Sequence, residues 1–171
     1  MTMKIILYQP QIPQNTGNIV RSCSVTGTDL VLVRPLGFST QSRHLKRAGL
    51  DYWEGVHVEE IDDLDALLEQ TDAPFFFFSS KVNQSYVTAP FTTNSLLIFG
   101  SETTGLPSKY LEKYPERFFT IPMLPTARCL NLATSVGIVL FEAIRATQFF
   151  EKSDKKKEMT TLTRADEVTG K

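Results

Sequence analysis

Five short runs of apolar residues punctuate this chain, and the text between them carries helical spacing. The runs are KIILYQ at 4–9, DLVLVRP at 29–35, PFFFFSS at 74–80, SLLIFG at 95–100 and RFFTIP at 117–122. A continuous apolar run of this length reads as a buried strand. The segment NTGNIVRSCSVTG places Ile19, Val20 and Cys23 at helical spacing and stops at Gly27, a natural C-terminal cap. Pro10 and Pro13 hold the preceding loop extended. RHLKRAGLDYW reads as a short helix with a mixed basic face, and residues 62–70 as a short acidic amphipathic helix. Residues 107–114 form a helix with Pro107 near its first position, and residues 131–150 the last and longest helix. Strands alternating with helices predict an α/β fold: a mostly parallel sheet flanked by helices. There is no internal repeat.

The length of 171 residues suits one domain of about 150 residues and a remainder. Residues 1–150 are expected to be that single domain. Residues 151–171, EKSDKKKEMTTLTRADEVTGK, have almost no apolar periodicity and read as a flexible charged tail. Lys155, Lys156 and Lys157 leave open an arm that touches nucleic acid. Over the whole chain, 18 basic residues nearly balance 19 acidic ones, which argues against a strongly basic coat but not against a local basic patch. Cys23 and Cys129 form no CxxC pair, so a zinc site or disulfide framework is not expected and a reducing cytoplasm fits. The start lacks the long apolar stretch of a signal peptide. The apolar-rich stretch 130–150 is interrupted by Asn131, Thr134, Ser135, Glu142 and Arg145, too polar to span a bilayer.

Several chemistries fail at the motif level. No GxGxxG follows a strand, and there is no GxxxxGK[ST] and no GxSxG. His44 and His57, the two histidines, sit in no metal-ligand pattern. What remains is polar, Gly- and Pro-rich text at strand ends, where open α/β sheets bind ligands. Three such loops, at 10–21, 100–107 and 122–131, are placed to converge on one pocket. In the first, Asn15 or Thr16 can cap a helix, Gly17 permits close approach, and Arg21 can face a polyanion or simply solvent. In the second, Glu102 lies between Gly100 and Gly105 and can bind N–H groups or a cationic ligand, or belong only to a turn. In the third, Ile121, Met123 and Leu130 offer apolar walls suited to a flat heterocycle, or are plain core.

Taken in order, NTGNIVR, LIFGSETTGLP and IPMLPTARCLNLATSVGIVLFEA resemble the three motifs of the SPOUT class of RNA 2'-O-methyltransferases. The flanking LYQPQIPQNTGNIVRSC, RPLGF and HLKRAGLDYW resemble the subgroup acting on the wobble cytidine or uridine of the tRNA anticodon loop. The resemblance covers about residues 3–148. It implies a SPOUT fold with a C-terminal deep trefoil knot, a rare exception to the no-threading rule. It also implies a homodimer, a tRNA partner, no membrane and no metal. The cofactor implied is S-adenosyl-L-methionine (SAM), leaving as S-adenosyl-L-homocysteine. Carried over by position, SAM contacts are Phe78, Gly100, Glu102, Ile121, Met123, Cys129 and Leu130, with Arg21 and Asn131 catalytic.

The implied reaction is attack of a ribose 2'-hydroxyl on the sulfonium methyl. An arginine stays protonated, so Arg21 is expected to stabilise negative charge and not to act as a free base. RNA contacts are expected from Arg43, Lys46 and Arg47, near His44, and from Arg128; the Arg43–Arg47 stretch reads equally as a solvated basic face. One departure is Cys129, where relatives commonly carry Ser. That swap is the feature favouring a rival, a homologue that binds RNA or SAM without turnover. Methylation of another tRNA position or of ribosomal RNA is the enzymatic alternative.

Overall fold

The computed structural model describes residues 2–39 and 55–148. The expected basic helix with Arg43, His44, Lys46 and Arg47, and the tail after residue 150, lie outside the described residues.

Among the described residues six strands form one sheet: β1 (Lys4–Tyr8), β2 (Asp29–Val33), β3 (Val58–Ile61), β4 (Phe75–Phe78), β5 (Leu96–Phe99) and β6 (Phe118–Phe119). Their order is β3-β2-β1-β5-β4-β6, and every pairing is parallel. Among the described residues the α-helices are α1 (Pro13–Thr26), α2 (Leu64–Gln70), α3 (Ser108–Lys113) and α4 (Leu132–Thr147).

The apolar runs follow from burial on both faces. Ile5 and Leu7 of β1, Phe76 and Phe78 of β4, and Leu97 and Phe99 of β5 point into a core with Ile19 and Cys23 of α1 and Val136 and Leu140 of α4. Their neighbours Ile6, Phe75, Phe77, Leu96 and Ile98 meet Leu64 and Leu68 of α2 and Tyr110 of α3 on the other side. Each fully buried side chain of this size contributes about 1.5–3 kcal/mol, so a polar residue in either register would be costly. Phe77 stacks on Phe118 at 4.7 Å, tying the two-residue β6 to the sheet.

Two expectations change. β3 adds a sixth strand that the pattern of VEEI did not announce. It is an edge strand bonded only to β2, and Glu59 and Glu60 face solvent beside Lys4 and Arg34. Charged residues are what an exposed edge tolerates. Second, Pro13 is not in an extended loop: it occupies the first turn of α1, so Asn15 and Thr16 are buried inside the helix and do not cap it. Gly27 ends α1 with φ of 65°, as expected of a left-handed cap.

β1 and β5 are neighbours, yet the helices after them cover opposite faces. That is a topological switch point, and the loops leaving the carboxyl ends there diverge and open a crevice.

Candidate functional site

Beyond those strand ends lies a cavity of about 470 Å³, within the range of small-ligand sites. Ile12 and Asn15 line it from the first loop region, residues 100–106 from the second, and Met123, Cys129, Leu130 and Asn131 from the third. The segment after β4, Ser79-Ser80-Lys81, forms a further wall that sequence reasoning had not singled out. Its signal was present: three polar residues directly after a buried strand, at a carboxyl end.

The second loop folds back on itself. Ser101 and Gly105 exchange backbone hydrogen bonds of 2.9 and 3.3 Å, and Gly105 adopts φ of 70°. This return brings the backbone against Gly100 so closely that a Cβ there would lie 2.4 Å from the Gly105 carbonyl carbon. Position 100 is therefore restricted to glycine by contact with the main chain.

The turn aims Glu102 at α1. Its Oε2 accepts the Gln11 N–H at 2.8 Å, and its Oε1 accepts the Ile12 N–H at 3.2 Å. Oε1 also accepts from Asn15 Nδ2 at 2.9 Å. The α1 N-terminus has no side-chain cap of its own, and a carboxylate is favourable at that end of a helix. Asn15 Oδ1 in turn accepts from Asn131 Nδ2 at 2.8 Å. Asn131 is the cap of α4: its Oδ1 accepts from the N–H groups of Ala133 and Thr134 at 2.8 and 3.2 Å. Glu102, Asn15 and Asn131 thus join all three loops in one chain of hydrogen bonds.

The remaining walls are apolar, from Phe78, Phe99, Ile121, Met123 and Leu130. Cys129 is exposed, and its Sγ lies 3.2 Å from Ser80 Oγ, linking the third loop to the segment after β4. A second cavity of about 510 Å³ adjoins this contact, sharing Ser80, Thr120, Ile121, Met123 and Cys129 with the first.

The expected cofactor residues Phe78, Gly100, Glu102, Ile121, Met123, Cys129 and Leu130, together with Asn131, all line the first cavity. Both Glu102 oxygens already hold donors of the chain itself. Arg21 and Arg128 are exposed and are not lining residues. Arg21 shares the outer face of α1 with Gln14, Asn18 and Val25, six residues beyond Asn15 and so about 9 Å further along the axis. Among the described residues, no group of three or more His, Cys, Asp or Glu is arranged to hold a metal ion, and no helix is long and apolar enough to cross a membrane.

Known proteins resemble this chain in sequence and fold. The chain is 42% identical over 147 residues to the tRNA (cytidine(34)-2'-O)-methyltransferase of Methylovorus glucosotrophus, covering 85% of this chain and 96% of that one. A solved structure described as giving insight into 2'-OH methylation of C/U34 on tRNA superposes with a TM-score of 0.79. It is 42% identical and covers 85% of this chain and 95% of its own. An AdoMet-bound rRNA methyltransferase from Sinorhizobium meliloti superposes with a TM-score of 0.75 at 25% identity, covering 84% of this chain and 56% of that one. Residues 2–141 match the SpoU rRNA Methylase family, to which this chain belongs.

Proposed function

We propose that this protein transfers a methyl group from SAM to the ribose 2'-hydroxyl of the wobble nucleotide, cytidine or uridine 34, of tRNA. The observation that carries the reading is the Glu102–Asn15–Asn131 chain, which holds three motif loops around one cavity. The sequence likeness to a tRNA (cytidine(34)-2'-O)-methyltransferase across nearly its whole length supports the choice of substrate. The AdoMet-bound neighbour supports the choice of cofactor.

The cavity fits the cofactor's chemistry. Phe78, Ile121, Met123 and Leu130 supply apolar walls for a purine, and Gly100 and its turn line the same cavity. SAM supplies, when bound, a methyl group already activated by the positive sulfonium, so the protein's task is positioning and charge stabilisation. Asn131 fixes the start of α4 and the shape of the cavity floor. Glu102 positions the first loop. Arg21, permanently protonated, does not line this cavity; its expected part, stabilising negative charge on the ribose oxygen or the adjacent phosphate, requires RNA that reaches the outer face of α1.

The assembly we propose is a homodimer. Each member of the packed α1–α4 pair carries an exposed large apolar residue, Val25 at 65% and Phe141 at 52%. A second copy of the chain would cover them and enlarge the RNA-binding surface, to which Arg43, Lys46, Arg47 and Arg128 contribute. The knot belongs to the same reading: the chain runs from the edge strand β6 back to α4 beside α1, the return that a threaded C-terminal segment requires. A cytoplasmic setting suits both a tRNA substrate and two free cysteines.

The experiment is methyl incorporation from labelled SAM into tRNA lacking wobble modification. Incorporation that disappears in Arg21→Ala, with SAM affinity retained, supports the reading. SAM binding with no transfer to any tRNA would favour a non-catalytic binding protein instead.

A further inference from the structure

Cations on this surface are mostly neutralised. Lys4, Arg34, Lys109, Lys113, Arg117 and Arg145 each pair with a carboxylate. Lys81 and Arg128 are exposed and have no carboxylate partner among the described residues. Both belong to segments that line the cavity. Lys81 lines the cavity, and Arg128 precedes Cys129, which lines it too. The Ser80–Cys129 contact at 3.2 Å joins their chain neighbours, so the two cations flank one point of closure. Glu102, the other charged residue lining the cavity among the described residues, turns its oxygens to Gln11, Ile12 and Asn15. Among the described residues the rim is therefore positive.

We infer that Lys81 and Arg128 form a phosphate-binding rim at the cavity mouth, which takes the RNA backbone beside the target ribose. The inference rests on the RNA methyltransferase reading and adds Lys81 to it. Both side chains lie on the solvent side, where a polyanion arrives, and not in the apolar interior. Lysine offers a point charge and arginine a planar fork, a combination that can hold adjacent phosphate oxygens without reading bases. Lys81 is then a positioning residue: it fixes the backbone so that the ribose meets the cavity.

The test is Lys81→Gln, with Lys81→Arg and Arg128→Gln beside it. Equilibrium tRNA binding over a salt series is measured separately from SAM binding and from turnover. Lys81→Gln should weaken tRNA binding by roughly three- to tenfold and reduce the slope of log K against log salt by about 0.7–0.9 per lost phosphate contact. The KM for tRNA should rise while SAM affinity stays near wild type, and Lys81→Arg should restore most of the loss. Weaker SAM binding with unchanged tRNA binding would mean that Lys81 meets the cofactor carboxylate, and would overturn the inference. Unchanged tRNA affinity and salt slope would also overturn it. If wild type transfers no methyl group but Lys81→Gln still lowers RNA affinity and salt slope, the methyltransferase reading fails and the phosphate rim stands.

Discussion

Asn131 donates its side-chain amide to Asn15 across 2.8 Å and 116 positions of sequence. The ends of the network fix both amide orientations. At one end, backbone N–H groups can only donate to Asn131 Oδ1; at the other, the Glu102 carboxylate accepts from Asn15 Nδ2. The two substitutions Asn131→Ala and Asn131→Asp separate the roles. Loss of the cap in the alanine variant should cost about 0.5–2 kcal/mol in urea unfolding. The aspartate keeps the cap but sets an acceptor against Asn15 Oδ1, so it should stay folded while methyl transfer falls sharply. A fully active Asn131→Asp enzyme would remove the network from the account.

Glu102→Gln tests the remote cap of α1. The amide keeps one acceptor where the carboxylate serves three donors. At least one donor is left unpaired, at a cost of about 1–3 kcal/mol. Thermal unfolding should show a lowered midpoint, with the first loop gaining amide exchange. An unchanged midpoint would mean that water replaces the carboxylate at no cost.

This cap also explains what the sequence could not announce. Asn15 and Thr16 look like N-caps of the helix that follows, but the acceptor comes from Glu102, 91 positions from Gln11. No local pattern encodes a partner at that distance. The strands were legible for the opposite reason: helices cover both faces, so Phe75–Phe78 and Leu96–Phe99 are apolar throughout. β3 hid because an edge strand can carry Glu59 and Glu60. Of the cavity, the three polar loops could be read at strand ends, while Lys81 reads as an ordinary solvated lysine until its neighbours are seen in space.

Gly100→Ala and Gly137→Ala make a matched pair. At position 100 the added carbon would meet main chain at 2.4 Å, so the 100–105 turn must move. SAM affinity should fall at least tenfold, a change of about 1.4 kcal/mol, with stability reduced as well. At position 137, within α4, a Cβ meets nothing within 4 Å. In the single chain, alanine there should stabilise by about 0.5–1 kcal/mol. Isothermal calorimetry and denaturation read both; equal behaviour of the two variants would contradict the tight-turn geometry.

The two thiols should differ in reactivity. Cys23 is buried and its pKa is pushed up to about 12 by burial and by Asp29, so it stays a protonated, inaccessible thiol at neutral and moderately alkaline pH. Cys129 is exposed beside Ser80. Native protein at pH 8 should consume one equivalent of a thiol reagent and denatured protein two. Pre-bound SAM should slow the native reaction if the cavity it lines is the cofactor site. Equal rates with and without SAM would argue against Cys129 as a cofactor contact.

The transferred methyl group can be located on the RNA product itself. Purified protein, SAM and single unmodified tRNAs should yield a methyl group on the ribose of nucleotide 34. Mass spectrometry of the anticodon-loop fragment should place the added 14 Da on the wobble nucleoside as 2'-O-methylcytidine or 2'-O-methyluridine. The mass shift should be absent from Arg21→Ala reactions. Methylation at another nucleotide or on a base, or none with SAM bound, would contradict the account.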